Sequence, residues 1–159
     1  MDLSAKDDFE TIKIIITHIR NIRATYTVPA TAEVDVTIIT QNSSIIQENE
    51  DLIKKLSRTK TITIKTEDSK YKESATAIFG NDILYVHLSN IIDIEKERVR
   101  IDTEIVSAQK YIIEIQKRLS SEQFTKKAPP EIVQKEKDNL KDTELKIAEL
   151  SECLKNLNV

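Results

Sequence analysis

The sequence predicts an α+β fold. An N-terminal helix and a small mixed β-sheet with one helix are followed by a long antiparallel α-helical coiled-coil hairpin. Three patterns predict it. Apolar residues near the N-terminus recur at three- and four-residue spacing, as in an amphipathic helix. Between Val34 and Leu88 they alternate with polar residues in short runs, as in strands. After Ile94 a four-three spacing repeats, which is the heptad pattern of a coiled coil.

Composition limits what the chain can be. Its 159 residues suffice for one domain, or for a small domain with an extended appendage. Charged residues make up 32% and aromatic residues 4%, which favours long exposed helices. The net charge is −3, so nucleic-acid binding would need a local basic patch. The lone Cys153 cannot form an internal disulfide, and no apolar run reaches the roughly 20 residues of a membrane span. We therefore expect a cytoplasmic protein without a membrane partner.

The first 29 residues predict a helix whose apolar stripe ends before Pro29, because the residue before a proline is pushed out of helical geometry. The stripe consists of Phe9, Ile12, Ile15, Ile16, Ile19, Ile22 and Tyr26. Arg20 and Arg23 lie elsewhere on this helix, and we interpret them as a solvated flank.

Residues 30–92 predict a strand, a helix and three further strands. The first strand, Val34 to Thr40, is expected to be half-buried, with Val34, Val36 and Ile38 inward and Asp35 and Thr37 outward. One helix follows, capped by Asn42 or Ser43 and containing Ile45 to Leu56. The remaining predictions are a strand at Thr61 to Lys65, a polar loop at Thr66 to Glu73, and a hairpin of Ala75 to Phe79 and Ile83 to Leu88 around Gly80-Asn81-Asp82.

Residues 93–159 predict two heptad helices that pack antiparallel, joined by a tip at about residues 120–131. The first seam is Ile94, Arg98, Ile101, Ile105, Ala108, Ile112, Ile115 and Leu119. The second seam is Val133, Glu136, Leu140, Thr143, Ile147, Leu150, Leu154 and Leu157. Pro129 and Pro130 stop the first helix from running on, and Pro130 can open the second.

The outer half of this hairpin is basic. Residues 110–141 contain eight basic and five acidic side chains, a net charge of +3. The candidate nucleic-acid-binding residues are Lys110, Lys117, Arg118, Lys126, Lys127, Lys137 and Lys141. A basic finger of this kind suits contact with phosphates and RNA shape rather than with base sequence. The alternative remains open that these are the solvated lysines of any coiled coil. Phe124 is interpreted as a plug at the end of the seam rather than a base-stacking platform.

No catalytic or metal-binding constellation is predicted. Gly80 is the single glycine, which excludes the glycine-rich phosphate loops. His18 and His87 have no cysteine or serine spaced for nucleophilic or metal chemistry. We therefore expect no catalytic residue, metal or cofactor in this chain.

Three stretches resemble the valyl-tRNA synthetases, a family of class I ligases. Ile15 to Ala24 with Val28-Pro29 resembles the last helix of their anticodon-binding bundle, and Leu84 to Leu88 with Ile92 to Glu97 resembles the strand that leads into their C-terminal arm. The most specific stretch is Leu119 to Pro129. It is similar to a Leu-Ser-Asn-Glu-x-Phe-x-x-x-Ala-Pro tip, with Ser121 where asparagine is common and Pro130 as an extra proline.

The resemblance implies a division of the chain and a function. Residues 1–29 would be the terminal helix of the bundle, 30–92 an α/β linker module and 93–159 a coiled-coil arm. This arm would clamp the outer corner of tRNA(Val) while the rest of the synthetase, with ATP and magnesium, performs aminoacylation. The nucleotide-binding signatures of the catalytic domain, His-Ile-Gly-His and Lys-Met-Ser-Lys-Ser, are absent from the sequence.

A free-standing coiled-coil protein-interaction module is the alternative function. The two hypotheses differ in oligomeric state. A hairpin that pairs within one chain predicts a monomer, which is our expectation, whereas pairing between chains predicts a concentration-dependent dimer.

Overall fold

A computed structural model describes the backbone of residues 3–159 and the side chains from Asp7 onward. The elements are α1 (Leu3–Thr25), β1 (Val34–Ile39), α2 (Ser44–Glu48), α3 (Glu50–Ser57), β2 (Thr59–Lys65), β3 (Ser74–Phe79), β4 (Asp82–His87), α4 (Ile94–Ser120), α5 (Glu122–Lys127), α6 (Pro130–Asn156) and β5 (Leu157–Asn158). They form two compact units. The first contains residues up to Glu97 together with Asn156–Val159, and the second is Arg98–Lys155.

The first unit is built on a five-stranded mixed sheet of order β2-β1-β4-β3-β5. β1 pairs with β2 in parallel, which is possible because α2 and α3 form the crossover between them. The pairs β1–β4, β4–β3 and β3–β5 are antiparallel. The predicted α+β class and mixed sheet are therefore confirmed.

The core of this unit lies between the sheet and two helices. α1 packs against α3, β3 and β4, and α3 packs against β2. The predicted inward residues Val34, Val36 and Ile38 are buried, as are Ile15 and Ile19 of α1. The apolar stripe of α1 is thus the face that covers the sheet, with the exception of Phe9, which is 64% exposed.

The expectation that β1 is half-buried is wrong. Thr37 and Ile39 point away from the helices, yet they are only 4% and 7% exposed. A partner strand explains part of this cover, because the hydroxyl of Thr37 lies 2.8 Å from Nε2 of His87 in β4. The loop predicted at 66–73 contributes further to the burial of this face, since its Tyr71 ring lies edge-on to the rings of Tyr85 and His87.

The single helix predicted after β1 is two short helices, α2 and α3. They are separated at Asn49, whose backbone φ of −114° is not helical. The side-chain amide of Asn49 donates to the carbonyl of Ile45 over 2.9 Å. Asparagine competes with the backbone for hydrogen bonds in this way, which makes it a frequent helix boundary. Ser43 stands at the N-cap position of α2, but its side chain makes no capping hydrogen bond.

Two turns differ from their predicted positions. α3 ends at Arg58, which has a left-handed φ of 51°, and β2 therefore begins at Thr59 rather than Thr61. The β3–β4 loop has two residues, since Phe79 already pairs with Asp82. Gly80 takes a φ of +58° at the first loop position, where such hairpins require a positive φ.

The interpretation of Arg20 and Arg23 as a solvated flank is confirmed for the exposure of Arg20, whereas Arg23 is partly buried and both side chains bond to backbone outside α1. Nε of Arg20 donates to the carbonyl of Leu56 over 2.8 Å. Nη2 of Arg23 donates to the carbonyl of Pro29 over 3.0 Å. These guanidinium groups join α1 to the end of α3 and to the loop before β1, where the carbonyl of Pro29 also accepts from the backbone N–H of Ala32.

The second unit consists of most of α4 and α6 with α5 between them. α4 and α6 run antiparallel, as three levels of contact indicate. Arg118 near the end of α4 pairs with Glu136 near the start of α6. A groove in the middle is lined by Ser107 and Tyr111 from α4 and by Thr143 from α6. At the opposite end the charge of Arg100 acts on Cys153, and burial raises the pKa of that thiol.

The predicted seam positions are buried or partly buried in both helices, with one exception. Ile101, Ala108 and Ile115 of α4 are 1%, 8% and 0% exposed. The intervening residues Ile105, Ile112 and Leu119 are partly buried, as are Val133, Glu136, Leu140, Thr143, Ile147, Leu150 and Leu154 of α6. Arg98 is the exception, because it is exposed at the beginning of the second unit.

Leu157 does not continue the helical seam. It belongs to β5, where it pairs with Ala75 of β3 and is 6% exposed. The side-chain amide of Asn158 donates to the hydroxyls of Ser74 and Thr76 over 3.0 and 2.8 Å. The chain therefore returns to the sheet after α6, and the second unit is inserted between two parts of the first. Across residues 3–159, no helix combines the length and the apolar character that crossing a membrane requires.

Candidate nucleic-acid interface

The seven predicted binding residues are exposed and belong to the second unit. α4 carries Lys110, Lys117 and Arg118, α5 carries Lys126 and Lys127, and α6 carries Lys137 and Lys141. Lys110 and Lys117 are seven residues apart and so share one side of α4, about 10 Å apart along its axis. Lys137 and Lys141 are four apart and share one side of α6.

Two of the seven charges have acidic partners. Nε of Arg118 lies 3.4 Å from Oε2 of Glu136, whose side chain is 13% exposed. Nζ of Lys126 lies 3.3 Å from Oε2 of Glu122 on a fully solvated surface. Lys110, Lys117, Lys127, Lys137 and Lys141 make no ion pair with any described residue. No described acidic side chain therefore lies within ion-pair distance of these five lysines, and they are available to an external anion.

Glu136 occupies a seam position, where its Oε2 is buried and accepts no hydrogen bond from the described residues, so the Arg118 cation compensates for it only in part. Besides the Arg118 guanidinium, the side-chain amide of Asn139 lies 3.5 Å from its other carboxylate oxygen. A carboxylate in a helical seam is tolerated where a cation and a hydrogen bond compensate for the lost water. Arg118 is therefore partly committed to holding the hairpin together.

The tip is more ordered than the predicted connection. Residues 122–127 form the helix α5, whose last backbone hydrogen bond runs from the N–H of Ala128 to the carbonyl of Phe124 over 2.9 Å. Ala128 is extended, as expected for a residue followed by proline. Lys126 and Lys127 thus lie in the last turn of a helix, where basic residues interact favourably with the helix dipole. Phe124 is partly buried, and its interpretation as a plug stays a prediction.

The two histidines lie in the first unit. His18 stacks on Phe79 with ring centroids 5.4 Å apart, and His87 hydrogen-bonds to Thr37. Burial raises the pKa of the Tyr85 phenol, which donates to Asp68, to about 12. Within residues 3–159, no group of three or more His, Cys, Asp or Glu side chains is arranged to hold a metal.

Apolar residues on the exposed side of α4 were missed by the sequence analysis. Val99, Val106 and Ile113 are 55%, 48% and 64% exposed. The signal was present, because the three are spaced by seven residues and none belongs to the seam.

The comparisons with known proteins match the part of the chain that carries these residues to one family. Residues 93–158 match the family described as "Valyl tRNA synthetase tRNA binding arm". The chain resembles the valyl-tRNA synthetases, as predicted. The match covers α4, α5, α6 and β5, and thus all seven candidate residues.

The rest of the chain is similar to the same proteins. The valine–tRNA ligase of Petrotoga mobilis is 32% identical over 157 residues, which is 97% of this chain. Those of Fusobacterium nucleatum and Thermotoga maritima are each 30% identical and cover 98% and 99% of it. In each case the chain spans 18% of the relative's length.

Proposed function

We propose that this chain is the non-catalytic, C-terminal tRNA-binding portion of a valyl-tRNA synthetase, and that its second unit clamps the outer corner of tRNA(Val). The observation that carries the proposal is the coincidence of the matched arm with the five unpaired lysines of α4, α5 and α6. ATP, magnesium and the chemistry of aminoacylation would belong to other parts of the synthetase, and the location would be cytoplasmic.

The mechanism requires a rigid support for the charges. In the proposal α4 and α6 form an antiparallel coiled coil, supported by the seven-residue repeat of buried Ile101, Ala108 and Ile115. Residues 98–120 of α4 extend over about 33 Å at 1.5 Å per residue. Lysines on such a rod reach phosphates that are far from a catalytic domain, and the helical backbone that carries them is already ordered before binding, although each lysine side chain still loses rotamer freedom.

Electrostatics supplies the affinity and geometry supplies the selectivity. Each phosphate neutralised by a lysine releases condensed counterions, so the affinity falls with salt. Such contacts fix the position of an RNA without reading its sequence. The proposed clamp would therefore recognise the folded shape of tRNA, while its identity as tRNA(Val) is read elsewhere in the synthetase.

The test is a charge reversal in the full-length protein. Lys117, Arg118, Lys126 and Lys127 are replaced by Glu, and the Kd for a valine tRNA transcript is measured at several salt concentrations. We expect weaker binding and a shallower dependence of log Kd on log salt, by roughly 0.7 to 0.9 for each lost phosphate contact. A matched control replaces Lys54 and Lys55 of α3, far along the sequence from the arm.

Replacing Arg118 also removes its ion pair with Glu136, so weaker tRNA binding must be distinguished from a destabilised hairpin. A second variant therefore reverses only Lys117, Lys126 and Lys127. If both variants bind tRNA as the unmodified protein does, at low and at moderate salt, the proposed function is wrong.

A further inference from the structure

One side of α4 exposes a repeated series of β-branched residues. Val99, Val106 and Ile113 are spaced by seven, so they follow one line of about 21 Å along the helix. Each is close to half exposed or more. A single exposed apolar residue needs no explanation, whereas a regular row on one side of a helix calls for a second feature that says what it contacts.

Polar residues of one kind accompany the outer part of this row. Positions three, four and seven apart share a side of a helix. This relation defines the Val106–Lys117 face, which consists of Val106, Gln109, Lys110, Ile113, Gln116 and Lys117. All six side chains are exposed. None of the six is acidic, and Glu114 borders the face beyond its lysines.

This combination does not suit another helix. A third helix of a bundle needs an apolar stripe with both three- and four-residue steps. Here the intervening positions are Asp102, Gln109 and Gln116, so only one apolar residue occurs in every two turns. A second copy of the chain, packed symmetrically on this face, would bring Lys110 and Lys117 towards the same lysines of its partner.

Charge complementarity favours a polyanion with apolar surfaces of its own. RNA loops present phosphates, ribose hydroxyls and the faces of unstacked bases close together. Lysine ammonium groups match the phosphates, and glutamine amides can donate to the hydroxyls and accept from base edges. Valine and isoleucine can remove the apolar faces of ribose and bases from water.

We infer that the Val106–Lys117 face is the side of the arm that contacts RNA, and that Val106 and Ile113 contribute affinity by packing against ribose or base surfaces in RNA loops. The inference rests on the proposed function, because it assumes that the arm binds tRNA. It adds the side of α4 that is used and a salt-independent component of the binding.

The experiment compares three variants of the full-length protein. The first carries Val106→Ser and Ile113→Ser, the second Lys110→Glu and Lys117→Glu, and the third is the control Leu145→Ser. Leu145 is 55% exposed on α6, so it matches the first variant in exposure. Kd is measured against a valine tRNA transcript and against a blunt RNA duplex without loops, each over a series of salt concentrations.

For the serine pair we expect on the order of tenfold weaker binding to tRNA, with an unchanged salt slope and an unchanged Kd for the duplex. The lysine pair should instead lower the salt slope for both RNAs. The control should leave every value within about twofold. Val106→Thr and Ile113→Thr keep the β-branched shape and have a similar helix propensity, so they provide a second variant with the same expected direction.

Three outcomes would overturn the inference. If the lysine pair weakens tRNA binding and both apolar variants do not, the arm binds RNA through charge alone and only the inference fails. If neither the serine pair nor the lysine pair weakens tRNA binding, the inference is wrong. The proposed function is also wrong only if the charge reversals at Lys117, Arg118, Lys126 and Lys127 leave tRNA binding unchanged as well. If sedimentation finds a dimer that the serine pair dissociates and Leu145→Ser does not, the face binds a second copy of the chain.

Discussion

The histidine of β4 is placed where protonation opposes folding. His87 is half-buried beside Thr37 and the ring of Tyr71. Burial lowers its pKa below the ordinary 6.5, and the carboxylate of Asp35 opposes this only in part. As the pH falls through 6.5, the unfolded chain therefore takes up more protons than the folded chain, and the free energy of unfolding decreases.

We predict that the urea midpoint of the chain falls between about pH 7.5 and about pH 5.5, above the range in which most carboxylates titrate. The His87→Gln variant should lose most of this fall, because the glutamine amide can replace Nε2 in the bond to Thr37 but cannot be protonated. His18→Gln is the control and should keep it. Equal pH dependence in all three proteins would contradict the assignment.

Along α4, burial changes sharply over two residues. Ile115 is 0% exposed, and Ile113 on the outer side is 64% exposed. Replacing each by Ala removes the same atoms but a different amount of packing. We predict that Ile115→Ala lowers the free energy of unfolding by about 2 to 5 kcal/mol and that Ile113→Ala changes it by less than about 1 kcal/mol. Urea unfolding followed by circular dichroism provides the measurement, and equal effects would refute the placement of the seam.

β5 is short, but it closes one edge of the sheet. Leu157 is buried against β3, whereas Val159 is 56% exposed. We predict that Leu157→Ala destabilises the first unit by about 2 to 3 kcal/mol, since the cavity opens next to the buried Ala75. Val159→Ala should have almost no effect. Proteolysis within residues 59–87 offers a local readout, and similar cleavage of both variants would argue against the strand.

Periodic elements could be predicted from the sequence, and their boundaries could not. The heptads of α4 and α6 and the alternation in β1 record which side is buried, and the burial of Ile101, Ile115 and Val36 agrees. Asn49 and Leu157 were misjudged for a different reason. Asn49 ends a helix through a hydrogen bond to Ile45, and Leu157 leaves a perfect heptad because β3, distant in sequence, offers a better site.

The candidate binding site could also be predicted only in part from the sequence. Seven basic residues could be chosen from local charge, and all of them are exposed. Composition gave no means of separating Arg118, which pairs with Glu136 across the hairpin, from Lys117 beside it. A pairing between helices depends on their register, which one sequence does not contain explicitly.

For the molecule as a whole, the separation of charge bears on association. The chain carries −3 overall, while residues 110–141 carry +3. A hairpin that closes within one chain leaves no open seam for another copy, and the exposed lysines repel each other. We predict a monomer in sedimentation velocity at concentrations from about 1 to 100 μM. A dimer that grows with concentration would favour the alternative of a protein-interaction module.

The return of the chain to β5 bears on the order in which the two units can fold during synthesis. On a ribosome, β3 emerges more than 80 residues before its partner Leu157, since Ala75 pairs with that residue. The edge of the sheet therefore stays open while the whole helical insertion is being made. Local contacts form faster than distant ones, so α4 and α6 can zip up first. α4 and α6 would then be paired before β5 completes the sheet of the first unit.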